Sequence, residues 1–183
     1  MWIVLAVLAL ITIAGILIYN SLIKSQNLAR EGWSGIDVQL KRRADLIPNL
    51  VDVVKGYMGH ESSVLQKVTE SRAKAMQAPN LAERERAEGV LSDAVRVLLG
   101  VAESYPDLKA SVNFQDLQQS LSGTEEQIQY ARRYYNAAAR DMNIKVASFP
   151  NNLVARFFHF EELPYFQLDD PSEKNTPNVK LAS

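Results

Sequence analysis

The sequence predicts an all-α protein. An N-terminal transmembrane helix runs into a long up-and-down antiparallel helical bundle, and an irregular aromatic tail closes the chain. Three observations carry this. Residues 2–19 are an uncharged apolar run. From Trp33 to Met142, apolar side chains recur at steps of three and four, one face of helices that pack on each other. From Ser148 the pattern breaks, and prolines and aromatics take over. The expected divisions are an anchor (1–23), a bundle (24–148) and a tail, aromatic and then disordered (149–183).

The run at 2–19 rises about 27 Å as a helix, close to a hydrocarbon core of about 30 Å. Trp2 and Tyr19 stand at its two ends, where amphipathic rings prefer the interface. A cleaved signal peptide would want a basic leader and a small-residue cleavage site. No Lys or Arg precedes the run, and Ile18-Tyr19-Asn20-Ser21-Leu22 lacks such a site. An uncleaved single-pass anchor in the cell membrane is therefore expected. Lys24, Arg30, Lys41, Arg42 and Arg43 all follow the run. The bias of cations toward the cytoplasmic side puts the N-terminus outside and the bundle in the cytoplasm. The alternative in a two-membrane bacterium is a periplasmic bundle.

The first soluble stretch is the densest in signals. Trp33, Ile36, Leu40, Ala44, Ile47, Val51, Val54 and Met58 form an apolar seam, with Asp37, Lys41, Arg42, Arg43, Asp45 and Asp52 on other faces. Pro48 sits inside it. Proline lacks a donor and crowds the carbonyl four residues back, that of Ala44, so a kink is expected. Asn49 is a candidate partner for the freed carbonyl or for a neighbouring helix. The seam keeps its phase past Gly56 and Gly59 into Leu65, Val68 and Ala75. That predicts one helix as far as Pro79, continuous or mildly kinked.

A second helix starts at Asn80, with Glu83 three residues on as a capping-box partner. Its stripe is Ala87, Leu91, Ala94, Leu98 and Val101, and Pro106 stops it. Glu83-Arg84-Glu85-Arg86 reads as a solvated first turn. A third helix starts near Asn113. Phe114, Leu117, Leu121, Thr124, Ile128, Ala131, Tyr135, Ala138 and Met142 hold heptad spacing without a slip. Its length matches Ala29–Met58, so the two are expected to lie antiparallel. Arg132, Tyr135 and Asn136 form a polar and aromatic group on and beside that seam. Basic residues beside aromatics can bind single strands. The favoured reading is a half-buried polar layer, with Arg132 and Asn136 facing Asp45 or Asn49.

The stretch Arg42-Arg43-Ala44-Asp45-Leu46-Ile47-Pro48-Asn49-Leu50-Val51, followed by Val54-Lys55-Gly56-Tyr57 and His60-Glu61, resembles the signature of the LemA family. So do Trp33, Ile36 and Leu40 before it. The likeness returns at Glu70–Ala73, at Tyr105–Ala110, from Glu125 to Asn136, and at Phe149-Pro150, Phe157 and Tyr165-Phe166. The resemblance implies a bacterial protein with an N-terminal transmembrane helix, an up-and-down bundle and no established catalytic activity.

The residues add little chemistry. The chain has no cysteine and two histidines, His60 and His159. His60-Glu61 lacks the second histidine of a His-Glu-x-x-His zinc site, since residue 64 is Val. There is no glycine-rich phosphate loop and no Gly-x-Ser-x-Gly elbow. A di-iron bundle needs paired Glu-x-x-His motifs that are missing. A net charge of −1 steers the chain toward neither nucleic acid nor acidic ligands. No cofactor, metal, nucleic acid or small-molecule substrate is expected, and no enzyme. The expected role is a membrane-anchored scaffold or adaptor. Its partners are itself or other membrane-associated proteins, met through the seam, the Lys41–Arg43 cluster and the aromatics Phe157, Tyr165 and Phe166. A transmembrane sensing module, passing a signal along the long helix, is the alternative. It is weakened because only Met1 would reach the far side.

Overall fold

The computed structural model describes residues 1–58 and 62–166. Among these, the chain forms helices α1 (Trp2–Lys55), α2 (Ser62–Gln77), α3 (Leu81–Ala102), α4 (Pro106–Lys109), α5 (Val112–Ala147) and α6 (Asn151–Phe157), and no strand.

Helix α1 has 54 residues, a rod of about 80 Å. Its most apolar window is 0% buried. A soluble protein would cover a core helix. This one fits a single-pass membrane anchor. Thr12, the hydroxyl inside the run, donates to the Leu8 carbonyl at 2.9 Å, which satisfies it without water. The helix then passes residue 23 and Gly32, Gly35 and Pro48 without interruption.

Helices α1 and α5 lie antiparallel, as their matched spacing predicts. Lys145 meets Ser25, Tyr135 meets Gly32 and Arg43 meets Glu125. Three cores are stacked along the pair. The distal one joins Leu50 and Val54 of α1 to Val68 of α2, Leu98 of α3, Leu108 of α4 and Phe114 of α5. The middle one holds Ile36, Leu40, Ile128 and Tyr135 with Phe166. The third, at the membrane end, is Leu22, Met142 and Ala155.

The structure corrects the expected course after Met58. Helix α1 ends at Lys55, and α2 runs back along it, bringing Arg72 to Ala44. Helical phase says which face is apolar but not which partner covers it, so a stripe that keeps phase fits a hairpin as well as a straight rod. The same contact answers Pro48. The Ala44 carbonyl that Pro48 leaves without a donor accepts from Arg72 Nε at 2.6 Å. Asn49 does not serve it; its side chain is exposed. The start of α3 follows the sequence reading: Asn80 Oδ1 accepts from the Glu83 N–H at 2.9 Å, and Glu83 Oε1 accepts from Asn80 Nδ2 at 3.0 Å. Helix α5 begins earlier than Asn113, with Ser111 at its N-cap.

Candidate functional site

Two polar constellations lie along the α1–α5 pair. The first is centred on Arg43. Its side chain is 6% exposed, because residue 43 falls on the buried stripe of α1 beside Leu40, Ala44 and Ile47. The guanidinium reaches two other helices. It pairs with Glu88 of α3, donates to Ser92 Oγ at 2.8 Å and meets Glu125 of α5 at 2.6 Å. Arg84 lies alongside, 3.0 Å from Asp37 and 3.4 Å from Glu88. Two acids share Arg43, and the fork geometry of guanidinium suits such a junction.

The second constellation binds the tail. After α6 the chain turns back along the groove between α1 and α5, and α5 side chains grip its backbone. Asn143 exchanges two hydrogen bonds with Leu163, 2.9 and 2.7 Å. Asn136 does the same with Phe166, 2.9 and 2.8 Å. The Tyr135 hydroxyl donates to the Pro164 carbonyl at 2.8 Å. An amide side chain offers one acceptor and a donor group, so it can replace a missing strand or helix neighbour for one residue of backbone. The Phe166 ring lies under the Arg132 guanidinium, 4.3 Å from its centroid, and 6.1 Å from Trp33. Trp33 meets Tyr135 edge-on at 6.0 Å. The tail thus fills the place a third helix would take in the middle of the bundle.

Burial pushes the Tyr135 phenol above its ordinary 10.0. A group held protonated by the fold adds stability that is complete below its unfolded pKa and lost as pH rises through the higher folded value. Unfolding midpoints should therefore fall once the pH passes about 10. Tyr135→Phe should flatten part of that alkaline limb. Denaturant titrations of both chains in detergent, followed by circular dichroism, check it.

The residues singled out in the sequence are dispersed by this arrangement. Trp33, Arg132, Tyr135, Asn136 and Phe166 come together. Arg43 joins the ion cluster, while Arg42, Asp45, Pro48 and Asn49 are exposed. Arg132 and Asn136 do not face Asp45 or Asn49. In the antiparallel register residue 135 lies opposite Gly32, about four to five turns away from those positions. Lys41–Arg43 is not a surface triad, since Arg43 points inward. Tyr165 is 44% exposed and Phe157 77% exposed. Sequence reasoning missed Glu88 and Ser92, and it read Arg84 as part of a solvated turn, whereas its side chain is 18% exposed and paired with Asp37 and Glu88. Glu88 stands three residues before Leu91, on the buried stripe with Leu98 and Ala102. That spacing was the available signal, and the neighbouring choice of Ala87 hid it.

Among the described residues no group of three or more His, Asp or Glu side chains is placed to hold a metal ion. A cleft of about 440 Å³ lies near the membrane end of the α1–α5 pair, beside Lys24, Ser25, Asp141 and Lys145. Lys145 Nζ donates there to Ser21 Oγ and Ser25 Oγ at 2.9 and 2.8 Å.

The arrangement defines a class: a helical bundle built on one long helix whose free end fits a single-pass anchor. The chain belongs to the LemA family, whose model matches residues 32–181. It is similar to Protein LemA of Metamycoplasma hominis, 28% identical over 155 residues, covering 82% of this chain and 69% of that one. It is also similar to Magnetosome protein MamQ 2 of Paramagnetospirillum magneticum, 24% identical over 192 residues, with 90% and 71% covered. Magnetosome protein MamQ of Magnetospirillum gryphiswaldense is 23% identical over 189 residues, with 89% and 69% covered.

Proposed function

We propose that this protein is a membrane-anchored scaffold or adaptor that acts by contact with itself or with other membrane-associated proteins, without catalysis. One observation carries the reading. Helix α1 leaves the apolar run and continues unbroken to Lys55, braced by α5 over most of that length. Such a rod holds a surface about 50 Å from the bilayer. Arg43 of α1 and Asn136 of α5 are spent on internal joints, to Glu88 and to the Phe166 backbone, which suits a rigid spacer. Relatives named as magnetosome proteins support a role in a subcellular assembly. The cation bias after the run favours a cytoplasmic bundle.

Crosslinking of the full chain in its native membrane, followed by mild solubilisation, tests the reading. Multimers or a reproducible partner are expected. A strictly monomeric chain that captures nothing defeats it. Topology is read in parallel from one cysteine at Val97, which is exposed at 51% on α3, with a membrane-impermeant thiol reagent. Protection in intact cells supports the cytoplasmic side, and labelling once only an outer barrier is opened reverses it. The unbroken α1 also favours the second reading, a module that passes a signal along the helix. Two alanines inserted between Tyr19 and Leu22 would rotate the bundle against the span. A scaffold tolerates that better than a signalling helix does.

A further inference from the structure

The apolar side chains around α6 form a large uncovered group outside the span. Phe149 is 79% exposed, Leu153 59%, Phe157 77% and Phe158 52%. Leu153 and Phe157 are four residues apart and share a helix face. The opposite side of α6 is packed: Ala155 is fully buried among Leu22 and Met142, and Val154 meets the same cluster. The short helix is therefore held in place with its apolar face turned outward.

The height of that face is set by its neighbours. The Phe158 and Phe160 rings lie 4.7 and 5.8 Å from the Tyr19 ring. Tyr19 ends the uncharged run, and Leu22, under Ala155, lies one turn further on. The exposed face thus stands level with the point where α1 leaves the hydrocarbon core. Aromatic rings concentrate at that depth. Two exposed cations flank it, Lys24 on α1 and Arg156 on α6, where snorkelling heads reach the headgroup layer.

We infer that Phe149, Leu153, Phe157 and Phe158 insert into the interfacial layer of the bilayer that α1 crosses. The occupant of this face is lipid, because the face is continuous with the span and lies at its boundary. The protein then holds the membrane at two points. A lone helix can tilt and spin about its axis, whereas a second contact beside it fixes both motions and aims the rod. The inference rests on the reading of α1 as an anchor.

The chain has no cysteine, so single cysteines carry clean spin labels. Full-length chains with Leu153→Cys, Phe157→Cys, Ile11→Cys or Val97→Cys are reconstituted into mixed phosphatidylcholine and phosphatidylglycerol vesicles. Collision with oxygen is compared with collision with a water-soluble nickel complex. The expected result is a several-fold higher oxygen-to-nickel ratio at Leu153 and Phe157 than at Val97, with Ile11 higher still. A deep Ile11 with aqueous values at Leu153 and Phe157 overturns the inference and leaves the anchor standing. Low collision with both agents, together with dipolar broadening, means that a second copy covers the face, and also overturns it. An aqueous Ile11 removes the anchor and the inference together.

Discussion

Replacing Arg43 by methionine lowers the stability of the bundle by about 3 kcal/mol, the lower end of what breaking a buried ion pair costs. The loss comes mainly from Glu88, whose side chain is 8% exposed. Without Arg43 its remaining cation is Arg84, at a long 3.4 Å. Methionine keeps much of the aliphatic volume, so the variant removes charge more than packing. Adding Glu88→Leu to Arg43→Met should recover most of the loss, because a buried pair replaced by apolar side chains is often neutral or better. Denaturant titration of the full chain in detergent reads both variants. A single variant within about 0.5 kcal/mol of the parent would mark the cluster as effectively solvated. A double variant as weak as the single would place the cost in packing.

Gly32→Ala and Gly35→Ala should move stability in opposite directions. A Cβ at Gly32 would stand 2.9 Å from the Tyr135 Cα and 3.0 Å from the Tyr134 ring. The first of these is backbone and cannot rotate away, so α1 and α5 must part. Overpacking of this kind costs about 1–3 kcal/mol. A Cβ at Gly35 meets nothing within 4 Å, so alanine there keeps only the gain in helix propensity, roughly 1 kcal/mol. The Gly32 variant should also loosen the tail, since Tyr135 holds Pro164. Faster proteolysis near Glu161-Glu162 would show it. Two variants that shift the midpoint the same way would refute the close approach.

Much of the fold was legible because it depends on neighbours in sequence. The uncharged run, the stripes through Leu40 and Ile47 and through Leu121 and Ile128, and the cap at Asn80 are each written within a few turns of helix. The antiparallel α1–α5 pair followed from two long stripes of comparable length. The family resemblance read from Arg42–Val51 agrees with the matched residues 32–181. The expected disorder of Asp169–Ser183 and the readings at His60 and Glu61 lie outside the described residues.

The joints were not legible in the same way. Periodicity traced the apolar stripes of α1 and α3, but it set Arg43 on another face, passed over Glu88, and did not show that the two charges meet across 45 residues. Nor did it foretell that Asn136 would hold the Phe166 backbone 30 residues on, or that Arg72 would relieve Pro48. Each of these is a long-range contact whose partner depends on where the chain reverses and in which register the helices lie. Local spacing records which face a helix buries. The direction that α2 takes along α1, and with it the partners of the polar side chains on that face, is set by which packing covers the most apolar surface while leaving no buried charge alone.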